Sequence, residues 1–382
     1  MNEPKHLLIF TAYYPPHLGG VERYTQNLAH ALLRLGNEVT IVTSSLKSGA
    51  NHDGKAGIVE IPSISLMSSR FPIIIPHLAF FQSLKRIQTE AYDAIIINTR
   101  YYPICLLGCH IARKQNLTPI VIDHSSGYLS EERSLLGTLM RVYERAMTRI
   151  IQTYQPSFYS VSSRSGAWLK QFGIKANGIL PNSIDAKGYR DISSRRNWRS
   201  ELKIDSCRLV IYAGRLVEQK GVLKLIEAVK SINNPIKKVF LVIAGSGSLE
   251  SQIIRQQDHA IKYVGPISPA DLSSLLEAGD IFCLPTTYPE GLPTVLLEAA
   301  AQKCAIVVSD TGGTEEVVPN DSCGIVLQDT SPACIANSIG KLIANPVALR
   351  ALQENVFEHV NSHFSWIETA RKTIQAVERL SK

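Results

Sequence analysis

Short, almost unbroken apolar runs alternating with helix-periodic segments set the rhythm of this chain. "HLLIFTA" (residues 6–12) reads as a strand buried on both faces. After "YYPPHLGG", positions Val21, Tyr24, Leu28, Leu32 and Leu35 share one helical face, and Gly36 stands where a left-handed C-cap belongs. "EVTIVTS" is the next strand, followed by "GIVEIP", "AIIIN", "PIVID", "FYSVS" and "GILP". After residue 206 the rhythm restarts with "RLVIYAG", "VFLVIAG", "IKYVG", "DIFCLP", "AIVVSD" and "GIVLQ". Apolar strands of this kind between helices predict parallel sheets covered on both faces.

With 382 residues the chain exceeds what one hydrophobic core serves, and two domains are expected. Asp185–Ser206, polar and without apolar periodicity over its first half, is the expected linker. The expected domains are 1–190 and 200–364, each a doubly wound α/β unit, with ligands at their strand ends. The greasiest stretch, "FPIIIPHLAFF", has about half the ~20 residues a bilayer core requires. The start of the sequence shows no leader pattern, so a cytoplasmic location is expected. Seven cysteines lack metal-ligand spacing; Cys105 and Cys109 are the closest pair, and all read as reduced thiols.

Net charge is +7, unevenly placed. Residues 1–190 hold 20 Lys/Arg against 12 Asp/Glu, and the remainder 20 against 21. A basic front half suits an anionic partner without saying which. Nucleic acid is disfavoured, since neither a recognition-helix motif nor an aromatic-rich sheet signature appears.

Candidate chemistry sits where strands end. Gly19 and Gly20 join a strand to a helix, where backbone amides can meet an anion; a tight turn explains them equally. Arg215 and Lys220 in "YAGRLVEQKG" follow a buried strand, and two close cations are what a diphosphate needs. "IAGSGSLE" supplies Gly245 and Gly247, but Glu250 stands where a dinucleotide fingerprint requires its third glycine. "TYPEGLPTVLLEA" places Glu290 in a loop and Glu298 about two turns into a helix that carries proline in its first turn. So separated, the two carboxylates do not form a hydrolytic pair, but they can bracket an extended ligand around the helix's positive pole. His124 follows the strand "PIVID".

In this order the pieces resemble family 4 glycosyltransferases, retaining enzymes of the GT-B fold: two Rossmann-like domains facing each other across a cleft. The likeness runs from residue 6 to about 327 and is most specific in Glu290-x7-Glu298 combined with the Arg215/Lys220 loop. It implies that Arg215 and Lys220 bind the donor diphosphate, Glu298 the ribose and Glu290 the transferred sugar. Gly291, Leu292, Pro293 and Thr294 would face the phosphates, Gly245 would line the donor site, and Gly265 to Ile267 would meet the base. Gly20 would close on the diphosphate and His124 would sit by the sugar, making His124, Glu290, Lys220 and Arg215 the catalytic set. Asn182 in "LPNSID" would organise the hinge, and the last helix, 365–382, would cross back to the first domain. An ordinary terminal helix of the second domain stays open from sequence alone. Lys303 and Ala305 depart from the family's usual glycine and proline, and Ser246 from a frequent aspartate.

The resemblance further implies a nucleotide-sugar donor, UDP before GDP-mannose, without cofactor or metal. The acceptor would be a glycan or lipid-linked hydroxyl, in cell-surface polysaccharide or glycolipid synthesis. Arg141, Arg145 and Arg149 fall at i, i+4 and i+8 on one helical stripe. With Lys85 and Arg86 beside apolar residues, they suggest a peripheral face for anionic membrane; a solvated helix face explains them as well. A sugar-nucleotide epimerase of the same fold is the alternative enzyme.

Overall fold

The computed structural model describes residues 3–17, 19–45, 49–66, 71–129, 135–204, 207–233, 239–288 and 291–380. The chain divides into two compact units, Met1–Asn182 with Trp366–Lys382, and Ser183–Ser365.

The first unit runs β1 (His6–Thr11), α1 (Gly20–Arg34), β2 (Glu38–Ser45), β3 (Gly49–Asp53), β4 (Ala56–Leu66), β5 (Phe71–Ile74) and α2 (Leu78–Thr89). It continues through β6 (Ala94–Asn98), α3 (Pro103–Lys114), β7 (Ile120–Asp123), α4 (Leu135–Gln152), β8 (Ser157–Ser160) and α5 (Ser163–Leu169). The strands lie in the order β3-β4-β2-β1-β6-β7-β8, with β5 on β4. Among the described strands only β3 and β5 are antiparallel, hairpin additions that the apolar pattern did not show. The expected strand "GILP" forms a single bridge, Ser160 to Ile179, because Pro181 ends the pairing at once.

Ile87, Ile104, Cys105 and Ile151 place α2, α3 and α4 over one face of this sheet. Tyr24, Leu28 and Leu32 of α1 cover the other face together with Trp366, Ala370 and Val377 of α15 (Trp366–Leu380). The last helix therefore belongs to the first unit; Thr369 donates to the Pro181 carbonyl at 3.4 Å and Trp366 meets Tyr24 edge-on at 5.3 Å. The α1 face expected from the sequence is the buried one, and Gly36 is left-handed with φ 86°.

The second unit opens with α6 (Ala186–Asp191) and α7 (Trp198–Leu202), where a linker was expected. Asp185 and Asn197 cap these helices, Trp198 is wholly buried, and its indole N–H donates to Ser274 at 2.9 Å. Trp198, with Ala186 and Ile204, anchors a segment whose apolar residues are too sparse for helical periodicity to reveal it.

Then follow β9 (Arg208–Ala213), α8 (Val222–Ile232), β10 (Val239–Ala244), α9 (Glu250–Arg255), β11 (Ile261–Gly265), α10 (Pro269–Ala278) and β12 (Ile281–Leu284). The unit closes with α11 (Thr294–Ala301), β13 (Ala305–Ser309), α12 (Thr314–Val317), β14 (Ile325–Leu327), α13 (Pro332–Ala344) and α14 (Pro346–His363). Its described strands are all parallel, in the order β11-β10-β9-β12-β13-β14. Lys303 has φ 60°, the left-handed region that favours glycine, and its ammonium reaches Glu354 at 2.6 Å.

Candidate functional site

Both sheets reverse their strand order once: between β1 and β6 in the first unit, between β9 and β12 in the second. Crossovers leave in opposite directions at such a point, opening a crevice beyond the carboxyl ends of the strands.

In the second unit that crevice is framed by the loops after β9 and β12. The Thr287 amide donates to the Gln219 carbonyl at 2.7 Å, and the hydroxyls of Thr286 and Thr287 reach the same oxygen at 3.2 Å. Leu216 N–H bonds Ser246 O at 2.8 Å, and Gly245 N–H bonds Gly265 O at 2.9 Å, so the loops after β10 and β11 join the same hydrogen-bonded rim. A Cβ on Gly245 would fall 1.9 Å from the Gly214 carbonyl, and its φ is 132°. Close packing of two loops therefore accounts for this glycine, whatever ligand lies beyond.

Arg215 is exposed, and its carbonyl accepts from the Tyr212 hydroxyl at 2.9 Å. Lys220 is buried at 7% exposure. Burial, then the nearby Arg215 charge, pull its pKa down to about 8. Both cations lie over the Tyr288 ring, Arg215 Cζ at 4.8 Å and Lys220 Nζ at 5.3 Å from its centroid. A buried ammonium beside a guanidinium disfavours its own charge, and an arriving polyanion relieves that penalty.

The expected helix after β12 begins later than the sequence suggested. Pro293, with extended ψ of 114°, is the N-cap residue and Thr294 the first helical one. Glu298, half-buried, consequently lies just past the first turn of α11 rather than two turns in. Leu292 and Pro293 are buried, Gly291 and Thr294 half-buried. Ile267 packs against the core. Glu290 lies outside the described residues.

In the first unit, Gly19 is the N-cap of α1, and a Cβ there would sit 2.1 Å from Glu22 Oε2. The Glu22 carboxylate folds over the turn and pairs with His17 at 3.3 Å; burial raises its pKa. Gly20 opens the helix with free space around it.

His124, just past β7, meets Tyr24 edge-on at 4.5 Å, and its Nε2 lies 3.2 Å from Asn98 Oδ1. The Asn98 amide donates to Thr25 at 2.7 Å, and Thr25 donates to Val21 O at 2.8 Å. The Thr25 hydroxyl proton is thus committed, the Asn98 NH2 must face Thr25, and Oδ1 must accept from His124. This chain assigns the His124 proton to Nε2 and leaves Nδ1 bare. His124 is half-buried, and desolvation pulls its pKa down to about 3, which favours the neutral ring.

Sequence reasoning missed the network beneath it. Arg100, wholly buried, donates to Asp123 and Ser125 at 2.6 Å and to Glu144 at 2.5 Å. Glu144 also accepts from the Leu129 amide at 3.0 Å, and Ser125 donates to Asp123 at 2.7 Å. The loop that carries His124 is thereby tied to β7 and α4.

Of the cationic positions, Arg145 donates to the Tyr128 hydroxyl at 2.7 Å and Arg141 to Thr138 at 3.2 Å, while Arg149, Lys85 and Arg86 are exposed. Gly19, Gly20 and His124 belong to the first unit and the Arg215/Lys220 rim to the second. Among the described residues no helix is long and apolar enough to cross a membrane.

Residues 194–359 match the model of glycosyl transferases group 1, and residues 18–187 that of glycosyltransferase family 4. The chain is 30% identical to a glycogen synthase of Mycobacterium tuberculosis over 97% of this chain and 93% of that protein. It is 24% identical to a phosphatidylinositol N-acetylglucosaminyltransferase protein of Arabidopsis thaliana, over 100% of this chain and 84% of that one. Anabaena HepE in complex with UDP-glucose shares the fold at TM-score 0.73 and 18% identity, over 98% and 100%.

Proposed function

Since the chain belongs to the family 4, group 1 glycosyltransferases of GT-B fold, we propose that it moves a sugar from a nucleoside-diphosphate sugar to an acceptor hydroxyl with retention of configuration. UDP is favoured over GDP: the structural relative HepE was crystallised with UDP-glucose. The acceptor is a glycan or lipid-linked hydroxyl, as in the phosphatidylinositol-directed relative. The product serves cell-surface polysaccharide or glycolipid synthesis. The basic first unit takes this acceptor, with Lys85, Arg86 and the α4 arginines toward anionic lipid.

One observation carries the reading: Lys220, buried beside Arg215 at the strand-order reversal of the second unit. The bond from the anomeric carbon to the β-phosphate oxygen breaks, negative charge collects on that phosphate, and the two cations meet it. The acceptor oxygen bonds the anomeric carbon on the face the diphosphate leaves, and its proton passes to the departing phosphate oxygen. Glu298 accepts from the ribose hydroxyls, Glu290 from the sugar, and the bare nitrogen of His124 takes a sugar hydroxyl. Two cations and the α11 pole supply the neutralisation, so turnover is expected to persist in EDTA.

The test is a melting-temperature panel of UDP, GDP and ADP with their sugars, followed by transfer assays with the nucleotide that stabilises. Binding of one nucleotide and sugar release only when acceptor is present support the reading. Release or epimerisation without acceptor, or no shift with any nucleotide, overturns it.

A further inference from the structure

Helix α4 faces most of its large aliphatic residues outward. Gly137, Glu144, Met147, Thr148 and Ile151 are buried, whereas Leu135, Leu136, Leu139, Val142 and Ile150 are exposed. Leu135, Leu139, Val142 and Ile150 recur at i, i+4, i+7 and i+15, one stripe along the helix, with Leu136 beside it. Leu135 is 79% exposed, Val142 60%, Leu139 57% and Ile150 43%, so the stripe projects from the protein most strongly over its first two turns. A solvated helix would reverse this arrangement, with leucines inward and the glutamate outward. Arg141, Arg145 and Arg149 recur at i, i+4 and i+8 along one flank of the stripe. In the same helical layer, α2 exposes Leu78 and Phe81 ahead of Lys85 and Arg86.

We propose that α4 docks in the plane of an anionic phospholipid bilayer, its leucine–valine stripe entering the acyl boundary while the arginine flank holds headgroup phosphates. Charge selects this occupant over a second copy of the chain. The 20 basic against 12 acidic residues before position 191 oppose self-association and favour an anionic surface. The apolar stripe makes the contact an insertion, which salt alone does not reverse. The proposal stands on α4 and not on the transfer reaction, and its readout needs no acceptor.

The test is flotation of the full chain with phosphatidylglycerol–phosphatidylcholine vesicles and with phosphatidylcholine alone, at low and physiological salt. Binding to the anionic vesicles that survives physiological salt is expected. Leu139→Glu with Val142→Glu should weaken it about a hundredfold, and Arg145→Gln with Arg149→Gln about tenfold. Leu139→Trp should shift its emission to the blue on anionic vesicles and be quenched by brominated acyl chains. An unchanged nucleotide-free melting temperature shows that the outward-facing variants fold. Absence of wild-type binding, binding indifferent to the glutamate pair, or a dimer by light scattering that this pair dissolves would each overturn the proposal.

Discussion

Lys220 and Arg215 both contact the Tyr288 ring: their charged groups lie 5.3 and 4.8 Å from its centroid. Tyr288 belongs to the loop after β12, which the Gln219 carbonyl pins to the loop after β9. The two like charges are thereby held close together, one of them buried, and the guanidinium makes the ammonium harder to keep charged. Burial and the neighbouring guanidinium both work against the charged form of Lys220.

Replacing Lys220 by alanine should therefore lower kcat about 10²–10³-fold, the loss of one preorganised group facing transition-state charge, or roughly 2.7–4 kcal/mol. Steady-state kinetics at saturating donor check this. An unchanged kcat would remove Lys220 from the chemistry.

The same lysine should make the empty enzyme less stable than it could be. Its folded pKa of about 8 lies below the ordinary value of 10.5, so between these pH values the unfolded chain binds more protons. Stability from this group therefore rises as pH rises from about 8 to 10.5. Lys220→Met should raise the nucleotide-free melting temperature at pH 7 while lowering turnover as the alanine change does. Nucleotide binding near pH 8 should take up a proton, seen by calorimetry in buffers of different ionisation enthalpy. Proton release would contradict the assignment.

Arg100 holds two buried carboxylates, Asp123 and Glu144, with no solvent to replace it. Arg100→Met should cost about 3–5 kcal/mol, since it strands buried charge rather than only deleting a contact. Chemical denaturation measures it. Asp123→Asn with Glu144→Gln in the Arg100→Met background should recover part of the loss, because the stranded charges are then gone.

Part of the site was readable because strand-end loops carry their chemistry in sequence. Arg215 and Lys220 follow an unmistakable apolar strand, and parallel pairing brings that strand's end to the rim. Arg100 follows a strand equally clearly, yet nothing nearby distinguishes a buried guanidinium from a solvated one; its partners come from residues 123 and 144. On α4 the arginine spacing was visible. That the leucines share the outward side depends on Glu144 being drawn inward by Arg100, a tertiary contact. Trp198 in "RRNWRSEL", with an asparagine cap before it, was the available sign that the polar stretch folds.

His124 should remain uncharged across the working pH range, its proton fixed on Nε2 by Asn98. With a folded pKa of about 3 against an ordinary value of 6.5, its contribution to stability is present above pH 6.5 and is lost as pH falls toward 3. Long-range nitrogen–proton NMR of histidine-labelled protein should show one ring with bare Nδ1 and no titration between pH 5 and 8. Asn98→Ala should release the tautomer, mixing both forms, and lower kcat more than it raises KM for donor. If the His124 ring instead titrates near 6 in the wild type, the hydrogen-bond chain through Thr25 does not govern it, and the nitrogen proposed to meet the sugar is not the one assigned.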